Sequence, residues 1–192
     1  MSRICIVQGH PTPGSGHFCH ALARAYAEGA VAAGHEIRTI AVAELDFPIL
    51  RSKQDWDAGQ TPLAISAAQN SIRWAQHLVI IHQLWIGMMP ALLKAFLEQV
   101  YRPGFAMAVS EKGRWTKLLS GRSARVVVTM GMPALVYRWY FGAHGLKSLT
   151  QNLALTGIKP SRYTLIGMIE AMSDRKRRGW LDHLRKLGAR AA

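Results

Sequence analysis

Cysteine is scarce in this chain: Cys5 and Cys19 are the only two in 192 residues. Two thiols build no disulfide framework, which excludes a small stapled secreted module. Cys5 falls within an apolar run and is expected to be buried. Cys19 falls near a helix start, where a thiol can acidify, but no base stands nearby in sequence. No apolar run is long enough to span a membrane: the longest, Leu78–Leu97, is broken by His82, Gln83, Pro90 and Lys94. The first strand-like run begins directly after Met1-Ser2-Arg3, with no signal peptide before it, so a cytoplasmic location is expected. Low-complexity segments, internal repeats and dividing linkers are also missing. That leaves one domain over residues 1–192, long enough for a full core.

Acidic residues are short in one half only. Residues 1–101 balance seven Lys/Arg against seven Asp/Glu, whereas residues 102–192 carry 17 against four, so the whole net charge of +13 lies there. Such asymmetry suits nucleic acid, a membrane surface or an anionic small ligand such as a dinucleotide. No nucleic-acid recognition motif is visible, and nucleic acid ranks last. The one true cluster, Arg175-Lys176-Arg177-Arg178, reads first as a solvated helix face.

What is present is a regular alternation. Ile4–Val7, Leu78–Ile81 and Arg125–Thr129 are short apolar runs of the kind buried on both faces of a parallel sheet. Glu36–Val42 alternates and reads as an edge strand, and Tyr163–Ile169 as the fifth strand. Helices are expected from Phe18 to near Gly34, over Pro62–Gln76, from Pro90 to Val100, up to Gly157, and over Asp174–Leu187. Leu45–Gln60 reads as a long polar connection and Arg102–Arg122 as irregular. Five strands alternating with helices predict a doubly wound α/β fold, a five-stranded parallel sheet with helices on both faces, and the strand order weighed for it is 2-1-3-4-5.

Two loops stand out. Gly9-His10-Pro11-Thr12-Pro13-Gly14-Ser15-Gly16 leads into the first helix, where backbone N–H groups and a helix N-terminus make an anion site. It begins like a nucleotide-hydrolysing loop, but Ser15-Gly16 stands where Lys-Ser/Thr is required. It lacks the third glycine of a dinucleotide fingerprint, and Ser15 is not in a Gly-x-Ser-x-Gly elbow. His17 and His20 could share a helix face as metal ligands, yet no carboxylate or thiolate pair completes a set, so no metal is expected. His17 reads better as a first-turn residue of a phosphate loop. The second loop, Gln83-Leu84-Trp85-Ile86-Gly87-Met88-Met89, is too apolar for an ordinary connection. It forms either core or a wall for something flat and aromatic. In the order 2-1-3-4-5 these loops flank the crevice where chain direction reverses, the place where flavodoxin holds its flavin. Thr129-Met130-Gly131-Met132 would form a third wall.

Gly9-His10-Pro11-Thr12-Pro13 with Phe18-Cys19-His20-Ala21-Leu22, then Leu84-Trp85-Ile86-Gly87-Met88-Met89-Pro90-Ala91-Leu92-Leu93-Lys94, then Arg102-Pro103-Gly104-Phe105 resemble the flavodoxin-like NAD(P)H:quinone oxidoreductases, from the first strand to about Glu170. The resemblance implies a flavodoxin-like fold, FAD or alternatively FMN as cofactor, NAD(P)H as electron donor and a quinone-like acceptor. It further implies a homodimer in which two subunits build each active site. The implied cofactor positions are His10, His17, Phe18 and Cys19, then Gln83, Leu84, Trp85, Ile86 and Gly87, then Thr129, Met130, Gly131 and Met132. Tyr137 and His144, the latter one residue out of register, match the pair that flanks the substrate. Trp139 and Phe141 are expected to pack at the dimer interface. The chain departs from the family at Gln83-Leu84-Trp85-Ile86, where Pro-Leu-Trp-Trp is common. Its first loop is about two residues longer, and its third loop has Met130 and Met132 where the best-known members have Thr and Gly. Some relatives are accessory subunits of potassium-efflux systems, which makes peripheral docking through the basic last helix the alternative role.

Overall fold

The computed structural model describes residues 1–14, 16–109 and 113–192; Ser15 of the first loop therefore lies outside the described residues. The main sheet holds five parallel strands in the order β2-β1-β3-β6-β7. They are β1 (Arg3–Gln8), β2 (Glu36–Ala41), β3 (His77–Gln83), β6 (Ser123–Thr129) and β7 (Ser161–Ile166). In order along the chain this is the expected 2-1-3-4-5 arrangement. The helices are α1 (Phe18–Ala32), α2 (Lys53–Ala58), α3 (Leu63–Trp74), α4 (Ala91–Val100), α5 (His144–Thr156) and α6 (Asp174–Ala189).

The unbroken apolar runs are explained by strand parity. Cys5 and Val7, Leu78 and Ile80, and Val126 and Val128 point into a core shared with α3, α4 and α5. Their neighbours Ile4 and Ile6, Val79 and Ile81, and Val127 point into a second core, shared with α1 and α6. A strand with a core on each face has no solvent side, so the two-residue alternation disappears. Every residue of the central strand β3 is buried.

Helices α1 and α6 approach so closely that side chains are excluded between them. A Cβ on Gly29 would lie 2.0 Å from the Arg185 carbonyl oxygen, and one on Gly188 would lie 2.0 Å from that of Tyr26. At the rim Arg185 bridges Glu28 at 2.9 Å and Asp182 at 2.8 Å.

Three expectations need correction. The connection after β2 contains the helix α2, started by Ser52, whose Oγ accepts the Asp55 N–H at 3.0 Å. The segment read as irregular holds an antiparallel ribbon, β4 (Met107–Val109) with β5 (Trp115–Lys117); residues 110–112 of that segment lie outside the described residues. The last strand starts at Ser161 and stops at Ile166 instead of running over Tyr163–Ile169. It ends because Gly167 passes against the loop after β6, where a Cβ would sit 2.5 Å from the Ala134 nitrogen, and Met168 then takes φ +56°. Arg102, one of the motif residues, ties the end of α2 to α4 by donating to the Gly59 carbonyl at 2.6 Å and to Gln99 Oε1 at 2.8 Å.

Candidate active site

Each loop at the carboxyl edge is tied to the next strand by its first residues. The Gly9 N–H donates to the Ile81 carbonyl at 2.8 Å, Leu84 N–H to Thr129 at 2.8 Å, and Met130 N–H to Ile166 at 2.9 Å. The three loops singled out in the sequence therefore converge on one edge, around the β1–β3 junction.

On the β1 side, His17 is the N-cap of α1, and no acidic residue occupies the first turn. The positive end of a 15-residue helix is thus left uncompensated. His10 is buried and stacks on exposed His17 with ring centroids 4.0 Å apart, and His20 joins them at 5.0 Å from His10. His20 stood in the sequence as a rejected metal ligand and as part of the Phe18–Leu22 motif, without a site role of its own; its position three residues after His17 was the signal. Among the described residues no group of side chains has the makings of a metal site. Phe18 carries the Arg177 guanidinium over its ring at 5.6 Å. Arg177 also donates to the Ile169 carbonyl at 2.7 Å, so α6 is anchored beside the start of α1. Cys19 is no acidified thiol. Burial pushes it up to about 11, against a smaller opposing effect of Thr129 Oγ1, 3.2 Å from its Sγ.

On the β3 side, Trp85 and Met88 exchange two backbone hydrogen bonds of 2.9 Å around Ile86 and Gly87. Both central residues have positive φ, +46° and +74°, the pattern of a type I′ turn. The turn projects its apolar residues into solvent: Ile86 is fully exposed and Trp85 is 53% exposed. It rests on Gly145, where a Cβ would lie 2.6 Å from the Gly87 carbonyl oxygen. Behind it, between α4, α5 and the ribbon, lies a separate apolar cavity of about 300 Å³ that Met88, Met89 and Trp115 help to line.

The third loop is held by backbone. Met130 buries its side chain in the core, Ile169 N–H donates to its carbonyl at 3.2 Å, and Met168 N–H donates to Met132 at 3.2 Å. Glu170 stands over Gly131, 3.1 Å from where a Cβ would be.

Tyr137 and His144 are not joined. Tyr137 is buried; its hydroxyl accepts the Leu146 N–H at 3.2 Å and lies 3.5 Å from the Gly87 carbonyl. Burial raises its pKa, partly offset by the Leu146 hydrogen bond. His144 is exposed at the first position of α5, its ring folded back against Gly142.

Several buried polar atoms at this edge have no partner among the described residues: Gln83 Nε2 and Oε1, Gln8 Nε2 and His82 Nε2. Native interiors leave few such groups unsatisfied. A ligand with hydrogen-bonding edges fits a site that ends in an unused carboxamide, the N-terminus of α1 and an exposed indole.

The flavodoxin-like fold family, Flavodoxin_2, matches residues 2–189. This chain belongs to that family. Among curated relatives of this flavodoxin-like chain, the ribosyldihydronicotinamide dehydrogenase-like protein traD of Penicillium crustosum is 28% identical, over 79% of the chain. The match takes in 64% of that relative's own length, less than two thirds. The solved NAD(P)H:quinone oxidoreductase of Methanothermobacter marburgensis superposes with a TM-score of 0.80 at 21% identity, covering 98% of this chain and 96% of that one. The FMN-dependent NADH-azoreductase of Bacillus anthracis, in complex with FMN, superposes with a TM-score of 0.78 at 15% identity over the whole of both chains. At these identities the superpositions establish a shared fold. The resemblance carried by the loop motifs holds at the level of the family.

Proposed function

We propose that this flavodoxin-like protein is a flavin-dependent NAD(P)H:quinone oxidoreductase that works as a homodimer. The observation that carries the proposal is the convergence at the β1–β3 junction of an imidazole-lined helix terminus, an exposed tryptophan turn and a Gln83 carboxamide with no partner among the described residues. When bound there, a flavin nucleotide supplies two-electron carriage between NAD(P)H and a quinone-like acceptor. His10, His17, Phe18 and Cys19 hold its phosphate end through ring and backbone groups. Gln83, Leu84, Trp85, Ile86 and Gly87 wall the ring system on one side and Thr129, Met130, Gly131 and Met132 on the other. His144, free at the start of α5, is the proton donor to the acceptor oxygen. Tyr137 positions the turn through Leu146 and Gly87. Trp139, Tyr140 and Phe141, 73%, 83% and 50% exposed, are the surface a second copy would cover. FMN is the cofactor named for the Bacillus anthracis neighbour; FAD is the other flavin the proposal admits. Two free, buried cysteines suit a reducing compartment, and the cytoplasm is the proposed one. No helix among the described residues is long and apolar enough to cross a membrane.

The test is an absorbance spectrum of the purified protein, repeated anaerobically with NADH or NADPH. A yellow protein that bleaches supports the proposal, and release of the cofactor identifies FAD or FMN. A protein that stays colourless after incubation with both flavins refutes it.

A further inference from the structure

Helices α1, α4, α5 and α6 each follow a strand of the main sheet and start at its carboxyl edge. The first turns of α1, α4 and α5 hold no acidic residue, and that of α6 holds Asp174 alone. Four positive helix ends therefore face this edge with one carboxylate among their first turns. In α6 the imbalance is larger still, because Asp174 is followed by Arg175-Lys176-Arg177-Arg178. A cation in the first turn of a helix opposes its dipole and destabilises it. A face that needed only to be solvated would carry such charge more favourably in the last turn, where Lys186 stands. The cluster works against the helix that bears it.

One of the four cations has a structural task. Arg177 donates to the Met172 carbonyl at 3.2 Å and to the Ile169 carbonyl at 2.7 Å, and its guanidinium lies over the Phe18 ring at 5.6 Å. These contacts fix the first turn of α6 beside that of α1. The side chains of Arg175, Lys176 and Arg178 are exposed and make no hydrogen bond or ion pair among the described residues. At physiological ionic strength a charge acts over about 8 Å, so cations flanking Arg177 are felt at the start of α1. A second feature marks this edge as the one that takes a ligand. The Gln83 side chain is 8% exposed, and neither carboxamide atom has a partner among the described residues.

We infer that the first turn of α6 recruits the electron donor: Arg175, Lys176 and Arg178 attract a nicotinamide dinucleotide through its phosphates and favour NADPH, which carries a 2′-phosphate, over NADH. This rests on the flavin-dependent reading above and adds to it which donor the chain selects. The attraction acts before contact and needs no fixed side-chain geometry. It raises the rate of encounter and fades as salt screens it.

Two measurements on the purified protein test this. One is kcat/KM for NADPH and for NADH, with a quinone acceptor, over a series of salt concentrations. The other is calorimetric titration with NADP⁺ and with NAD⁺, which needs neither turnover nor flavin. At low salt the 2′-phosphorylated member of each pair should be the better ligand, and the two members should converge as salt rises. Arg175→Glu combined with Lys176→Glu should lower kcat/KM for NADPH and affinity for NADP⁺ about tenfold at low salt, and should flatten the salt dependence. The same pair should raise Tm by about 2–4 °C, because it sets carboxylates at the positive end of α6. Weaker recruitment in a more stable protein separates this role from a folding defect. Lys186→Glu with Arg190→Glu makes the same change of charge at the far end of α6. It should lower Tm and leave the kinetic and binding constants unchanged. Equal constants for NADPH and NADH at low salt, a salt dependence that survives Arg175→Glu/Lys176→Glu, or an equal loss in the far-end pair overturns the inference. Bleaching by both donors at the same salt-independent rate would overturn it and uphold the flavin reading. A colourless protein that binds NADP⁺ with the expected salt dependence would refute the flavin reading and leave the recruiting turn standing.

Discussion

Replacing Ile86 with asparagine should make the protein more stable. Ile86 sits at φ +46°, where an L residue costs roughly 1–2 kcal/mol and a β-branched one is a true outlier. Nothing offsets that cost in the folded chain, because the side chain is fully exposed and its removal uncovers no core. Asparagine tolerates the left-handed region, and Asn-Gly is the favoured pair for a type I′ turn. The expected gain is about 1 kcal/mol, or a rise in Tm of roughly 2–4 °C for a domain of this size. Thermal and urea melts read it directly. The opposite sign is expected beneath the turn. Gly145→Ala places a Cβ 2.6 Å from the Gly87 carbonyl oxygen, an overpacking worth roughly 1–3 kcal/mol. A lower Tm for Ile86→Asn would show that the isoleucine packs on something and that strain is the wrong account. If Ile86 is retained for contact with ligand, the stabilised variant should turn over apolar quinones more slowly.

Gly188→Ala, with its Cβ 2.0 Å from the Tyr26 carbonyl oxygen, should force α6 off α1 and lower the urea midpoint by more than Gly145→Ala does. Tyr137→Phe leaves the buried Leu146 N–H without its acceptor and should cost about 1–3 kcal/mol in urea unfolding. His144→Gln, at an exposed position, should leave stability within about 0.5 kcal/mol and slow acceptor reduction. His82 and His77 are each lowered to about 4, chiefly by burial. The unfolded chain therefore binds more protons below pH 6.5, and the urea midpoint should be level above pH 7 and fall between pH 6.5 and 4. A midpoint that rises over that interval would contradict their burial as neutral rings.

The strands were legible because a parallel sheet with a core on each face leaves long apolar runs, as at Leu78–Ile81, whereas their order came with the family resemblance. The helix α2 was legible in principle, since Ser52 and Asp55 stand at capping spacing, but its lack of any buried residue hid the periodicity. The ribbon escaped because three-residue strands leave no pattern to count. At the site, the loops were found from composition, while the roles within them were not. Whether Tyr137 faces a ligand or braces a turn depends on Leu146, nine residues further on, and no spacing rule encodes that contact. The hydrogen bonds that His10 Nδ1 and His20 Nδ1 accept from the Thr12 and His17 N–H groups likewise appear only once the loop is folded.

The close seating of α1 on α6 bears on how the molecule is made. The helix that presents the imidazole cluster precedes four of the five strands of the main sheet in the chain, and the helix it seats against follows all five. Until Asp174–Ala189 has been synthesised, one face of β1, β3 and β6 lacks part of its cover and the glycine face of α1 stands open to water. Closure of that face therefore waits on α6, long after the first loop and α1 have been made.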